Sequence, residues 1–189
     1  MALLDRLKGI LLDPRTEWPK IAAEPATVQS IYTGWVMILA AIGPLAVLIV
    51  GDGGAGAKFA IGAYIMALII TFMLALIVDA LSSAFGGSKD FVSALKLVAY
   101  SSTVVWIAEI ASFVVPLLGV LVLLAAAIYA CYTFLVGATV LKKCDSDKAI
   151  PYTLVVLLCA IVLTYIVRLA VVGIAFSAMT GVSAARLLH

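Results

Sequence analysis

Three ionisable side chains interrupt the long apolar runs of this sequence: Asp79, Glu109 and Arg168. Charge is costly in hydrocarbon, so such groups pair, face the interior of a bundle, or mark a pathway. Glu109 lies about 9 Å below the outer end of its run, at the rise of an α-helix. Arg168 lies about 25 Å up a hydrocarbon core of about 30 Å. The two reach similar depth and are expected to pair as a structural link, because a transport relay needs further polar groups between them. Asp79 sits near a helix end, where charge is cheaper, with Lys96, Lys142 or Lys143 in reach. It reads as a carboxylate tied to a lysine or to loop amides; in a transport reading it becomes the mouth of a vestibule.

Other chemistry is thin. The single histidine, His189, is the last residue, a poor position for a base. No HExxH, Gly-x-Ser-x-Gly or Cys/His cluster with metal spacing occurs, and Ser82, Ser83, Ser101 and Ser102 have no base near them in sequence. No catalytic, cofactor or metal site is expected, and the chain reads as non-enzymatic. Cys131 and Cys159 fall within apolar runs and Cys144 in a loop, giving two small buried hydrophobes and one loop thiol rather than a disulfide framework. The glycine-rich "GDGGAGAK" at 51–58 lacks the Gly-Lys-Ser/Thr of a phosphate loop and reads as a connector.

The elements that carry these residues are dictated by composition. Of 189 residues 66% are hydrophobic, which lies outside the range of soluble domains. Apolar runs of bilayer length recur at about 31–50, 59–81, 98–115, 117–141 and 151–175. They are continuous rather than alternating, so each closes its own backbone hydrogen bonds as a helix. The expected fold is all-α: a five-helix transmembrane bundle over 30–180, a cytoplasmic amphipathic segment over 1–29, and a short external tail over 181–189. The first 29 residues lack a sustained apolar core, so 31–50 reads as an uncleaved signal-anchor.

Lys and Arg counts in the loops set the orientation. Arg6, Lys8, Arg15, Lys20, Lys89, Lys96, Lys142, Lys143 and Lys148 fall on one side; Lys58 and Arg186 fall on the other. Nine against two places the N-terminus in the cytoplasm and the C-terminus outside. The net charge of +2 gives no footprint for nucleic acid.

Residues 2–12 put Leu3, Leu4, Leu7, Ile10 and Leu11 opposite Asp5, Arg6 and Lys8, the pattern of a helix lying on the membrane surface. Asp13-Pro14 reads as an N-cap with proline at the first helical position, and Pro19 and Pro25 divide the stretch from 14 to 29 into short pieces. Trp18 suits the headgroup region. With acids balancing bases, the segment is a poor polybasic anchor. Its Asp13, Arg15, Glu17, Trp18, Lys20 and Glu24 form a candidate docking surface for a cytoplasmic protein partner. Ala126, Ala130, Thr133 and Gly137 recur at steps of four, three and four, a small-residue stripe that admits another helix. Packing within the chain is the favoured use, and a homo-oligomer contact is the alternative.

The phrases "RLKGILLDPRTEWPKIAAEP", "IYTGWVMILAAIGPLAVLI", "LALIVDALSSAFGGSKDFVSALKLVAYSSTVVW" and "KKCDSDKAIPYTLVV" together resemble a bacterial branch of the Yip family, five-span membrane proteins named for binding Ypt/Rab GTPases in eukaryotes. The TEWP–AAEP and DAL…FGG phrases are the most specific. The resemblance implies five spans with a cytoplasmic N-terminus and, for a bacterial member, residence in the cytoplasmic (inner) membrane. For eukaryotic relatives it implies vesicle traffic, Rab binding and membrane shaping; the present N-terminal segment is shorter than theirs. The resulting expectation is an integral membrane scaffold that organises the bilayer or protein partners. The alternative is a small transporter, channel or lipid-moving protein using Glu109, Arg168 and Asp79.

Overall fold

The structure, a computed structural model, describes residues 3–50, 54–114 and 116–187. Gly51, Asp52 and Gly53 of the glycine-rich connector, and His189, lie outside the described residues. Two short helices, α1 (Leu3–Leu12) and α2 (Pro14–Ala23), precede five stretches long and apolar enough to cross a membrane: Val28–Ile49, Gly56–Phe85, Phe91–Ile110, Leu118–Leu141 and Ser146–Ala170. The first is built of α3 (Val28–Ile31), α4 (Met37–Leu39) and α5 (Ile42–Val50); the others are α6 (Gly54–Ser82), α7 (Phe91–Val114), α8 (Pro116–Leu141) and α9 (Ser146–Leu187). The tail expected from 181 continues as helix to Leu187.

α7 is the axis of the bundle. In its most apolar stretch 56% of residues are buried within the protein, against 17–33% for the other four spans. It packs against α5, α6 and α8, and α1 and α3 also touch it. A helix so enclosed can carry polar residues that lipid would not tolerate, because its neighbours supply partners. Trp35 Nε1 donates to Thr103 Oγ1 at 2.9 Å, both buried.

The first span is the irregular one. Thr27 and Ser30 cap α3 reciprocally, each side chain taking the other's backbone N–H. A π-helical stretch, Tyr32–Val36, comes next, and the helix breaks at Ala40–Ala41. Pro44 explains that break: its ring crowds the carbonyl four residues earlier, that of Ala40. Tyrosines from α6 and the π stretch tie this span to its neighbour, with Tyr64 Oη donating to the Met37 carbonyl at 3.0 Å and Tyr32 Oη to the Leu68 carbonyl at 2.9 Å.

Candidate functional site

Asp13 caps α2, its side chain accepting from the Thr16 amide and hydroxyl, and Pro14 takes the first helical position. The turn folds α2 back on α1, and the hairpin seats on α7 and α8. Two expectations are corrected here. Arg6 does not lie on an outward polar face but is 4% exposed, and Trp18 is fully buried rather than placed among headgroups. The physical reason is a set of partners that lie far off in sequence. Arg6 Nη1 reaches Glu17 Oε1 at 2.7 Å, Arg6 Nη2 bonds Glu24, and Lys20 Nζ holds the other Glu17 oxygen at 2.9 Å. A guanidinium bridging two carboxylates can be buried because each charge keeps its hydrogen bonds.

Glycines make the room. A Cβ on Gly9 would sit 2.5 Å from Glu17 Cδ, and one on Gly137 would sit 2.6 Å from both Leu97 Cδ1 and Trp18 Cε2. Trp18 lies edge-on to Tyr100, ring centroids 6.2 Å apart. The small-residue stripe of α8 therefore faces inward: Ala126, Thr133 and Gly137 are buried and Ala130 half-buried. Its partners at Gly137 are α7 and the hairpin. Of the six docking-segment residues, Glu17 and Trp18 are internal, whereas Asp13, Arg15, Lys20 and Glu24 are exposed. The hairpin's turn is moored on α8: Tyr129 Oη donates to the Leu11 carbonyl at 2.9 Å, and Arg15 Nε donates to Tyr132 Oη at 3.2 Å.

Lys96 is a further correction. Expected in a loop, it lies in the second turn of α7 and is 6% exposed. Its ammonium donates to the carbonyls of Ile21 at 2.8 Å and Glu24 at 2.6 Å, closing the C-terminal end of α2. Lysine there satisfies carbonyls that the helix leaves open and complements its dipole. In sequence, Gly9 and Gly137 were the available signals, small residues where nothing local required them.

A second cluster joins the ends of three spans. Lys142 is fully buried, with its Nζ 2.7 Å from Asp79 Oδ1 and 2.9 Å from the Asp90 carbonyl. The Asp90 amide donates to the same Asp79 oxygen at 2.8 Å. Asp79 thus holds both a lysine and a loop amide. Gly86 adopts φ +74° to close the turn after α6, where a residue bearing a side chain would be strained. Ser88 N donates to the Lys142 carbonyl at 2.8 Å, locking this turn onto the one after α8. The Ser93 hydroxyl, then the Val92 and Ser93 amides, hold the Asp90 carboxyl below its usual range. Burial pushes the Cys144 thiol up, away from the reactive thiolate.

Glu109 and Arg168 have other surroundings. The Glu109 carboxylate fills the place a Cβ on Gly43 would take, packing α7 tightly on α5. Arg168 is exposed on α9. Their pairing stands as a proposal, tested by a charge swap.

Two cavities differ in character. One, of about 170 Å³, lies among α6, α7, α8 and α9 and is walled by apolar groups with Ser101 and Thr153. The other, of about 250 Å³, opens beside the hairpin between Arg6, Glu24, Ser30, Gly34, Trp35 and Tyr100, and its walls are mainly polar. Among the described residues no group of three or more His, Cys, Asp or Glu is placed to hold a metal ion.

Comparison with curated proteins and with solved structures found no match. A family model, the Yip1 domain, matches residues 8–185, which takes in most of the hairpin, the Asp79–Lys142 cluster and all five spans. By that match, and by its all-α polytopic architecture, this chain belongs to the Yip1-domain family of multi-span membrane proteins.

Proposed function

We propose that this integral membrane protein is a non-enzymatic scaffold, and that the hairpin α1–α2 is its working surface on the cytoplasmic side. The observation that carries the reading is the seating of the hairpin. Trp18 and Lys96 hold it to the bundle and Arg6 with Glu17 holds its two helices together, while Leu4 is 64% exposed, Leu12 is 82% exposed, and Asp13, Arg15 and Lys20 point outward with them. Large apolar side chains beside charges of both signs suit contact with headgroups or with a protein at the bilayer surface. The excess of Lys and Arg on the hairpin side supports the cytoplasmic placement.

The test is photocrosslinking in native membranes from probes at Asp5, Lys8 and Thr16. Discrete protein or lipid adducts, lost when Trp18→Ala releases the hairpin, are expected; a second copy of the chain among them identifies self-association. Absence of adducts from all three positions removes the scaffold reading. Transport is the other reading, with Glu109 and Arg168 on its route. Asp79 gives it little support, since its carboxylate is held by Lys142 and the Asp90 amide. Selective flux in liposomes, abolished by Glu109→Gln, is the result that establishes it.

A further inference from the structure

We infer that the polar cavity beside the hairpin binds a phosphate-bearing headgroup, with Arg6 and Tyr100 as its hydrogen-bond donors. The cavity, about 250 Å³, stands where the first span begins, between the Glu24–Ala26 turn and the π-helical stretch Tyr32–Val36. Its lining residues Glu24, Pro25 and Ala26 directly precede the first candidate span, Val28–Ile49, where a headgroup would meet the protein.

Three observations point to an anion. Arg6 is nearly enclosed, yet its five N–H donors have only two hydrogen-bond partners among the described residues, Glu17 and Glu24. Tyr100 lines the same cavity, and its hydroxyl has no hydrogen-bond partner among the described residues. Lys96, directly behind, donates only to carbonyls, and no carboxylate lies within 4 Å of it among the described residues. Of the charged residues only Arg6 and Glu24 line the cavity, and the Arg6–Glu24 bond is the one on its exposed side. Phosphate oxygens match a guanidinium fork and a phenolic donor in geometry and charge.

The opposite wall is built to leave space. A Cβ on Gly34 would meet nothing within 4 Å, although Gly34 lines the cavity. The π stretch carries this open position, and such stretches recur at functional sites. Glu24, its side chain 47% exposed, is the carboxylate that an arriving phosphate displaces from Arg6, while Glu17 stays buried and paired.

The experiment uses the full chain carrying Trp106→Phe in an uncharged detergent, following the emission of Trp35 and Trp18 as dihexanoyl phosphatidic acid, dihexanoylglycerol or inorganic phosphate is added. Saturable binding of the phosphatidic acid is expected, with none by dihexanoylglycerol. Gly34→Leu, which fills the cavity from its open side, should weaken it roughly tenfold, and Tyr100→Phe should weaken it several-fold. Glu24→Gln removes the competing carboxylate and should tighten it, a gain that misfolding cannot imitate. Inorganic phosphate binding as well as the phosphatidic acid keeps the anion site and overturns the lipid as its source. Equal binding of dihexanoylglycerol, or indifference to all three substitutions, overturns the site. The outcome is independent of the crosslinking from Asp5, Lys8 and Thr16, which reads the hairpin's outer face.

Discussion

Arg6 and Lys142 are both buried cations held by carboxylates, yet they tie together different parts of the molecule. Lys142 joins the ends of α6 and α8 to the start of α7, so its partners belong to the spans themselves. Arg6 joins α1 to α2 and to the Glu24 turn, so its partners belong to a hairpin laid on the bundle from outside. Losing the first link strikes the bundle; losing the second frees an appendage. The comparison teaches that burial alone does not say how far a charge reaches, and that the connectivity of its partners does.

The largest effect is expected at Lys142. Lys142→Met leaves Asp79 without its cation and should cost about 3–5 kcal/mol, read as loss of the cooperative thermal transition in detergent. The double variant Asp79→Leu/Lys142→Met should recover most of it, since a pair replaced by apolar groups is often tolerated. Trp18→Ala should cost about 3–5 kcal/mol locally. Here the hairpin opens to protease within residues 1–25 while the helical melt of the bundle stays near that of the parent. A concerted melt would erase the distinction drawn between the two clusters.

A third charged region extends the comparison to the opposite ends of the spans. If Glu109 and Arg168 pair, Glu109→Lys and Arg168→Glu should each cost about 2 kcal/mol, with the swapped double variant restoring stability. Two unstable single variants that the swap does not rescue remove the pair. The smallest effect concerns pH. The Asp90 carboxyl, held down mainly by the Ser93 hydroxyl, is ionised more readily folded than unfolded. Its contribution is therefore present above the unfolded carboxyl value of about 3.9 and is lost as pH falls through the lower folded value. Asp90→Asn should flatten the decline of the melting temperature in that acid window.

The spans were legible because each one solves its own backbone problem: about 20 apolar residues in a row admit one answer in lipid. Their ends were less so. Lys96 reads as a loop residue because hydropathy counts charges, whereas α7 begins at Phe91 and carries Lys96 inward; Asp79 lies near the end of α6, tied to a lysine and a loop amide as its position suggested. Asp13-Pro14 and Pro25 marked the ends of α2 well, but Pro19 does not divide it: the helix runs from Pro14 to Ala23 through that proline. The hairpin's seat was not legible, since the pattern of residues 2–12 fits a lipid surface as readily as a protein one. Arg6 finds Glu17 and Glu24 only after the chain turns at Asp13.

The π-helical stretch Tyr32–Val36 can also be seen as an extra tooth in a ratchet. A wider turn with an additional residue rotates everything after it relative to everything before. Upstream, Thr27 and Ser30 fix the start of the span; near and beyond the end of the stretch, Trp35 and Met37 must meet Thr103 on α7 and Tyr64 on α6. Shortening the stretch by one residue would yield a smoother helix with better internal hydrogen bonds, and would turn Trp35 off its hydroxyl. The span thus keeps the poorer coil because its register is dictated from both ends, so a one-residue deletion there would do more harm than an apolar exchange on its lipid-facing side.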